Sequence, residues 1–259
     1  MSNNTKLIRE GRFGPPKSYK TGAIVNSYPR PMLVLEGDQG GLDVSTDPPL
    51  WLPQVEDLVE ACQASEQPPL SAFSYTPTSL GGTLLDETTF SIPADPEPYR
   101  RLAHAVNALT QAFKESPCPW KTVVLDPITA VTEAAYRNLS TYQPDQLKDP
   151  RKWSPSVALK VKQVIEHLAT LPCHFVFIMH ARLGRNELTG EINYEPIMYS
   201  DFRNLIGAIP SQFFFADIRD GEPIVLTSPE PYVKGVGARW PAGLPSPCGA
   251  TYQEIYERP

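Results

Sequence analysis

Eight residues near the amino terminus, Gly14-Pro15-Pro16-Lys17-Ser18-Tyr19-Lys20-Thr21, constrain this chain more than any other stretch. They follow the GxxxxGK[ST] pattern of a phosphate-binding loop, which needs a strand before it and a helix after it. Successive backbone N–H groups of such a loop cradle phosphates, the lysine reaches the outer ones and the hydroxyl holds Mg²⁺. One position departs from the pattern, because Tyr19 stands where the second glycine belongs. Glycine at such a position eases an unusual backbone conformation. Either the loop accepts Tyr19 in a permitted conformation and binds nucleotide, or this loop binds more weakly; Gly14, Lys20 and Thr21 favour the first.

The surrounding text supplies the other parts of an α/β nucleotide site. Residues 6–9 read as a short strand ahead of the loop, and residues 21–27 as a helix stopped by Pro29 and Pro31. The apolar run 32–35 reads as a buried parallel strand. It is followed by Glu36-Gly37-Asp38-Gln39-Gly40-Gly41, which puts acids and glycines at a strand's carboxyl end, where open α/β sheets hold ligands. Residues 122–126 form a second such strand ending in Asp126, a candidate Walker B aspartate for Mg²⁺. Alone, that Asp-Pro pair would be ordinary turn chemistry; downstream of a phosphate loop it reads as a metal ligand. A third strand, 174–180, ends in His180.

Between the strands, helical spacing covers 55–64, 99–114 and 154–171, the last opened by Ser154-Pro155 as cap and first residue. Residues 128–142 read as helix and loop, 43–53 as loop, and 202–209 as a short helix. The stretch 67–98, rich in Pro, Ser, Thr and Gly, reads as an excursion with a small hairpin around Gly81-Gly82. Residues 186–191 should turn a hairpin within a loop region at 184–199, and Arg219-Asp220-Gly221 should close another between strands 213–217 and 223–226. Alternating helices and buried strands predict one α/β domain over residues 1–259, a mostly parallel sheet with helices on both faces and antiparallel strands at its C-terminal edge, finished by a Pro-rich wrapping tail at 241–259.

Composition narrows the partners. A net charge of −6 provides no global basic field, so any nucleic acid must meet a local basic patch or an assembled ring or filament. The four cysteines lack CxxC spacing and read as free thiols of a reducing cytoplasm. No apolar run reaches the length of a membrane span, and residues 1–13 lack the apolar centre of a signal peptide. Proline, at 29 residues, is concentrated in the connections.

Several side chains are candidates for chemistry. Lys20 should contact the outer phosphates, with Lys17 as a second positive group in the same turn. Glu36 and Asp38 compete to orient the attacking water, with Asp38 preferred, and each has the alternative of a solvated loop acid. His180 reads as a phosphate sensor or as a satisfied buried histidine. Arg182 and Arg185 read as phosphate or partner contacts or as solvated charges. The segment Tyr232-Val233-Lys234-Gly235-Val236-Gly237-Ala238-Arg239-Trp240-Pro241 reads as an arginine finger for a neighbouring subunit or as a basic turn.

The order GPPKSYKT, LVLEGDQGG, TVVLDPIT, FVFIMHAR and YVKGVGARWP resembles the RecA-like ATPases encoded by tailed phages, some of which act as single-strand annealing recombinases. The resemblance runs from the first strand to Pro241 and rests on motif order more than on any single motif. It implies a RecA-type core, ATP and Mg²⁺ as ligands, homo-oligomeric rings or filaments and single-stranded DNA as partner, in the host cytoplasm. Residue by residue it implies a loop of Gly14, Pro15, Pro16, Lys17, Ser18, Tyr19, Lys20, Thr21 and Gly22 around the phosphates. It also implies Mg²⁺ at Thr21 and Asp126, water activation by Glu36 or Asp38, sensing by His180, and trans contacts by Lys234 and Arg239. Tyr19 and the stretch 67–98 depart from the family, and no separate DNA-binding domain is present. Three functions follow: ATP-dependent action on single-stranded DNA in recombination, annealing or replication; a nucleotide-regulated assembly or accessory protein with slow or no hydrolysis; and, less supported, a kinase.

Overall fold

The computed structural model describes residues 6–38, 41–64, 66–76, 97–185, 190–198, 206, 209–233, 235–239, 241 and 243–257. Lys234, the expected hairpin at 81–82 and all but Ile206 and Ile209 of the expected helix 202–209 lie outside them.

Among the described residues eleven strands join one sheet. In chain order they are β1 (Arg9–Gly14), β2 (Met32–Glu36), β3 (Leu50–Trp51), β4 (Leu70–Ser74), β5 (Thr122–Asp126), β6 (His174–Arg185), β7 (Ile192–Pro196), β8 (Gln212–Arg219), β9 (Glu222–Leu226), β10 (Gly237–Ala238) and β11 (Cys248–Gly249). The spatial order is β11-β9-β8-β1-β6-β5-β2-β4-β3, with β7 on β6 and β10 on β8. Strands β8, β1, β6, β5, β2, β4 and β3 run parallel to their neighbours, while β9, β11, β10 and β7 pair antiparallel. The loop strand β1 is thus central, one strand away from β5 and its terminal aspartate. This is an α/β architecture, a mostly parallel sheet with helices on both faces and antiparallel strands at its C-terminal edge.

The pleat decides which helix covers which face. Leu33, Leu35, Val123, Leu125, Phe175 and Phe177 point into the larger core, under α2 (Val55–Gln63), α3 (Glu97–Glu115), α4 (Ile128–Tyr142) and α5 (Pro150–Ala169). The alternate residues Met32, Val34, Val124, Val176 and Ile178 pack against Ile24, Val25 and Tyr28 of α1 (Lys20–Ser27) and its end. Both faces are therefore apolar, as a parallel sheet requires.

Several elements depart from the sequence reading. The stretch 43–53, expected as loop, holds β3, which pairs with β4. The first strand is β1 at Arg9–Gly14, several residues later than 6–9. It carries fully buried Glu10 and Arg12, whose charges satisfy each other at 2.7 Å, so a strand can be buried here without an apolar run. Within 67–98 lies β4, a buried parallel strand on β2. Helix α5 starts at Pro150, capped by Asp149, whose side chain accepts from Arg151 N; Pro155 lies inside it. Strand β6 runs past His180 to Arg185, and from Ala181 onward it pairs antiparallel with β7; of the turn expected at 186–191, residues 186–189 lie outside the described residues.

The carboxyl-terminal stretch does more than wrap. It adds β11 to the sheet edge and ends in a short helix, Tyr252–Tyr256, opened by the Thr251/Glu254 capping box. Tyr256 donates its hydroxyl to Glu10 Oε2 at 2.7 Å, Tyr28 OH donates to the same oxygen, and Arg12 Nη1 donates to Ala250 O at 2.9 Å. The buried ion pair of β1 is thereby closed by residues some 240 positions later. Among the described residues, no helix is long and apolar enough to cross a membrane.

Candidate nucleotide site

The phosphate loop leaves β1 at Gly14 and enters α1 at Lys20, so it sits at the carboxyl end of the central strand. Gly14 is required by close approach: a Cβ there would stand 2.3 Å from Ala216 O of β8. Lys17 (φ 63°) and Tyr19 (φ 57°, ψ 25°) adopt the left-handed conformation, which costs a non-glycine residue about 1–2 kcal/mol. Tyr19 therefore takes up the backbone conformation for which a glycine would be favoured, and the loop keeps its path with Tyr19 as the residue before α1.

Lys20 is buried in the curl of the loop. Its Nζ donates to Gly14 O (3.0 Å), Pro15 O (2.6 Å) and Ser18 Oγ (3.1 Å). Desolvation lowers its pKa to about 8, partly offset by the attraction of Asp126. Of the remaining loop residues, Pro16 and Lys17 are exposed and Ser18 is buried.

Thr21 and Asp126 meet directly: Thr21 Oγ1 donates to Asp126 Oδ2 at 2.6 Å across 105 positions of sequence. Glu36 and Asp126 are register partners at the ends of β2 and β5. Burial raises Asp126 to about 6, with the Thr21 hydrogen bond opposing the rise. Burial, with repulsion from Asp126, raises Glu36 to about 7, the nearby N–H groups of Gly41 and Leu42 opposing the rise. Glu36 Oε1 is buried without a hydrogen-bond partner, and the residue is only 4% exposed. A paired hydroxyl and carboxylate beside an orphaned carboxylate oxygen suit a hard divalent cation. Mg²⁺ at nucleotides is held by one or two carboxylates together with phosphates, so the absence of a cluster of three or more metal-binding side chains among the described residues does not count against it. Thr21 and Asp126 would hold the ion, with Glu36 adding negative charge behind them, and the ion would neutralise charge on the phosphates.

Asp38 is exposed at the rim, and its Oδ2 lies 3.2 Å from His180 Nε2. His180 is half-buried, pairs in register with Gly14 and donates its backbone N–H to Thr129 Oγ1 at 3.3 Å. It stands where β6 leaves the parallel sheet, beside the loop. These groups line one cleft of about 530 Å³ formed by Lys17 to Gly22, Glu36, Asp38, Asp126 and His180, together with Gly41, Val44 and Ile178. That volume lies within the roughly 300–1,000 Å³ usual for small-molecule sites.

Of the last three, Gly41 ends the acid-and-glycine run after the second strand, Ile178 reads in the sequence only as part of a buried strand, and Val44 carries no signal. Arg182 and Arg185 are exposed on the hairpin beyond the cleft. Arg239 follows β10, which pairs with Gln212 and Phe213 at the start of β8, and its N–H donates to Ser211 O at 2.9 Å. It therefore sits at the end of the sheet opposite its own chain's phosphate loop.

No model of a known protein family matches the chain, and neither does any curated protein. Among solved structures it is similar to a prototypical ATPase from the type III secretion system of pathogenic bacteria, at 15% identity and a TM-score of 0.45. The match covers 82% of this chain and 51% of that one, so this chain spans about half the length of that protein. A likeness at this level says nothing of ligand, activity or assembly.

Proposed function

We propose that the chain binds ATP with Mg²⁺ in this cleft and hydrolyses it while acting on single-stranded DNA as a homo-oligomer in recombination, annealing or replication. The observation that carries the nucleotide reading is the Thr21–Asp126 contact at 2.6 Å, set between the buried Lys20 and the orphaned Glu36 oxygen. In this reading Lys20 leaves its loop carbonyls for the outer phosphates, whose charge restores what burial removes from the ammonium. Asp38, accessible and oriented by His180, accepts the proton of the attacking water, and His180 reports on the outer phosphate through the same contact. Arg239, remote from its own loop, is available to a neighbouring subunit's site. The DNA partner and the phage setting rest on the motif order alone.

A second reading, a nucleotide-regulated assembly protein with slow or no hydrolysis, is favoured by the left-handed Tyr19. Phosphate release from ATP, measured with and without single-stranded DNA, separates the two. The first expects DNA-stimulated release that falls roughly 10²–10³-fold in Lys20→Ala, the scale of losing one charge-stabilising donor. ATP-driven oligomerisation without release would leave the second. Wild-type protein that binds neither ATP nor DNA would refute the first.

A further inference from the structure

The Tyr19 ring has been fitted to the surface of α1. A Cβ added at Gly22 would stand 2.4, 2.6 and 2.8 Å from Tyr19 Cε2, Cζ and Cδ2, so the ring lies on the bare Cα of Gly22. Its hydroxyl reaches to 3.4 Å of Asn26 Nδ2. Asn26 in turn donates to Val44 O at 2.9 Å and accepts from Thr46 N at 2.9 Å. The ring, the outer face of α1 and the turn Gly41–Val44 are thus one hydrogen-bonded assembly. Tyr19 is 42% and Val44 44% exposed, and both line the same cleft as Lys20, Thr21 and Asp126.

That cleft joins two chemistries. Lys20, Thr21, Glu36 and Asp126 give it an ionic lining, while Tyr19 and Val44 add an exposed apolar shelf, with Tyr19 its aromatic member. The shelf spans α1 from Gly22 to Asn26, about 3–9 Å along the axis from the helix start at 1.5 Å per residue. A nucleotide with its phosphates at the loop has that shelf within reach of its sugar and base.

We propose that Tyr19 and Val44 form the base-binding shelf of this nucleotide site, the heterocycle stacking on the exposed Tyr19 face. The proposal rests on the nucleotide reading above and deepens it. Stacking and apolar contact read a flat face rather than a hydrogen-bonding edge, so the site takes nucleoside triphosphates with little preference between ATP and GTP. The residue that departs from the loop pattern then supplies affinity for the base, and Gly22 is the space that lets it do so.

The test compares equilibrium binding of Mg²⁺-ATP, Mg²⁺-GTP and Mg²⁺-tripolyphosphate to the full chain with Tyr19, Tyr19→Phe and Tyr19→Gly. Tripolyphosphate engages the loop without a base and reports loop integrity in each variant. Expected are similar affinities for ATP and GTP, retention in Tyr19→Phe, and a roughly tenfold loss for both nucleotides in Tyr19→Gly with tripolyphosphate unchanged. Unchanged or tighter ATP binding by Tyr19→Gly would overturn the shelf, as would equal losses for ATP and tripolyphosphate. If wild-type protein bound tripolyphosphate but gained nothing from a base, the shelf would fail while the phosphate loop stood. Binding of neither ligand would remove the nucleotide reading itself.

Discussion

Glu36→Gln should make the metal-free protein more stable at pH 8 and have almost no effect at pH 4.5. In the folded chain the Glu36 carboxyl is raised from 4.5 to about 7, by burial first and by Asp126 second. Each raised carboxyl holds its proton more tightly when folded than when unfolded, so the folded protein binds more protons between the two values. Stability from this source is fully present below about pH 4.5 and is lost as pH rises through about 7. At about 1.4 kcal/mol per pH unit, the Glu36 rise caps the loss at about 3 kcal/mol. The repulsion is shared with Asp126, and water in the cleft screens part of it, which leaves about 1–3 kcal/mol for Glu36 itself. Glutamine keeps a carbonyl oxygen facing the N–H groups of Gly41 and Leu42 and removes the charge. For a chain of this length the gain corresponds to a melting temperature higher by about 2–4 °C per kcal/mol. Thermal melts in chelator from pH 4.5 to 8.5 would show two curves that diverge as pH rises. Addition of Mg²⁺ and ATP should narrow the gap, because the cation stabilises the carboxylate in wild type only. Parallel curves at every pH, or a variant less stable at pH 8, would refute the argument.

Asp126→Asn should reduce Mg²⁺-supported ATP binding to the level seen in chelator, since the oxygen facing Thr21 at 2.6 Å loses its charge; a Mg²⁺ titration of nucleotide binding reads this. Asp38→Asn should lower turnover by about 10²-fold or more while ATP affinity hardly changes, and His180→Ala should move turnover in the same direction by releasing Asp38, which single-turnover phosphate release can measure. Glu10→Gln should cost about 3–5 kcal/mol in denaturant unfolding, because fully buried Arg12 loses its counter-charge.

The sequence made the helices and most of the sheet legible because their signals are local. Runs such as 32–35, 122–126 and 174–180 are apolar on both faces, and helices 55–64 and 99–114 show a regular stripe. What escaped depends on partners distant in the chain. Strand β1 reads as Arg-Glu-Gly-Arg-Phe-Gly, and nothing local says that Glu10 and Arg12 neutralise each other beneath two tyrosines. Strand β4, Leu-Ser-Ala-Phe-Ser, is short and flanked by prolines, and only pairing with β2 makes it a strand. In α5 two start signals compete, Asp149-Pro150 and Ser154-Pro155, and the earlier cap prevails. The cleft was legible wherever a motif names the residue; the contact between Thr21 and Asp126 follows from strand order. The Tyr19–Gly22 fit was not legible, since it needs the left-handed backbone to lay the ring along the helix.

The closure of β1 by Ala250 and Tyr256 also has a bearing on synthesis. The strand that launches the phosphate loop is among the first segments made, yet its charged pair gains its last two partners only when residues 250–256 exist. A nascent chain stopped before them would hold an ion pair open to solvent at the centre of its sheet, with the loop hung from an unfinished strand. The strand beneath the loop is therefore completed only by the last residues of the described chain.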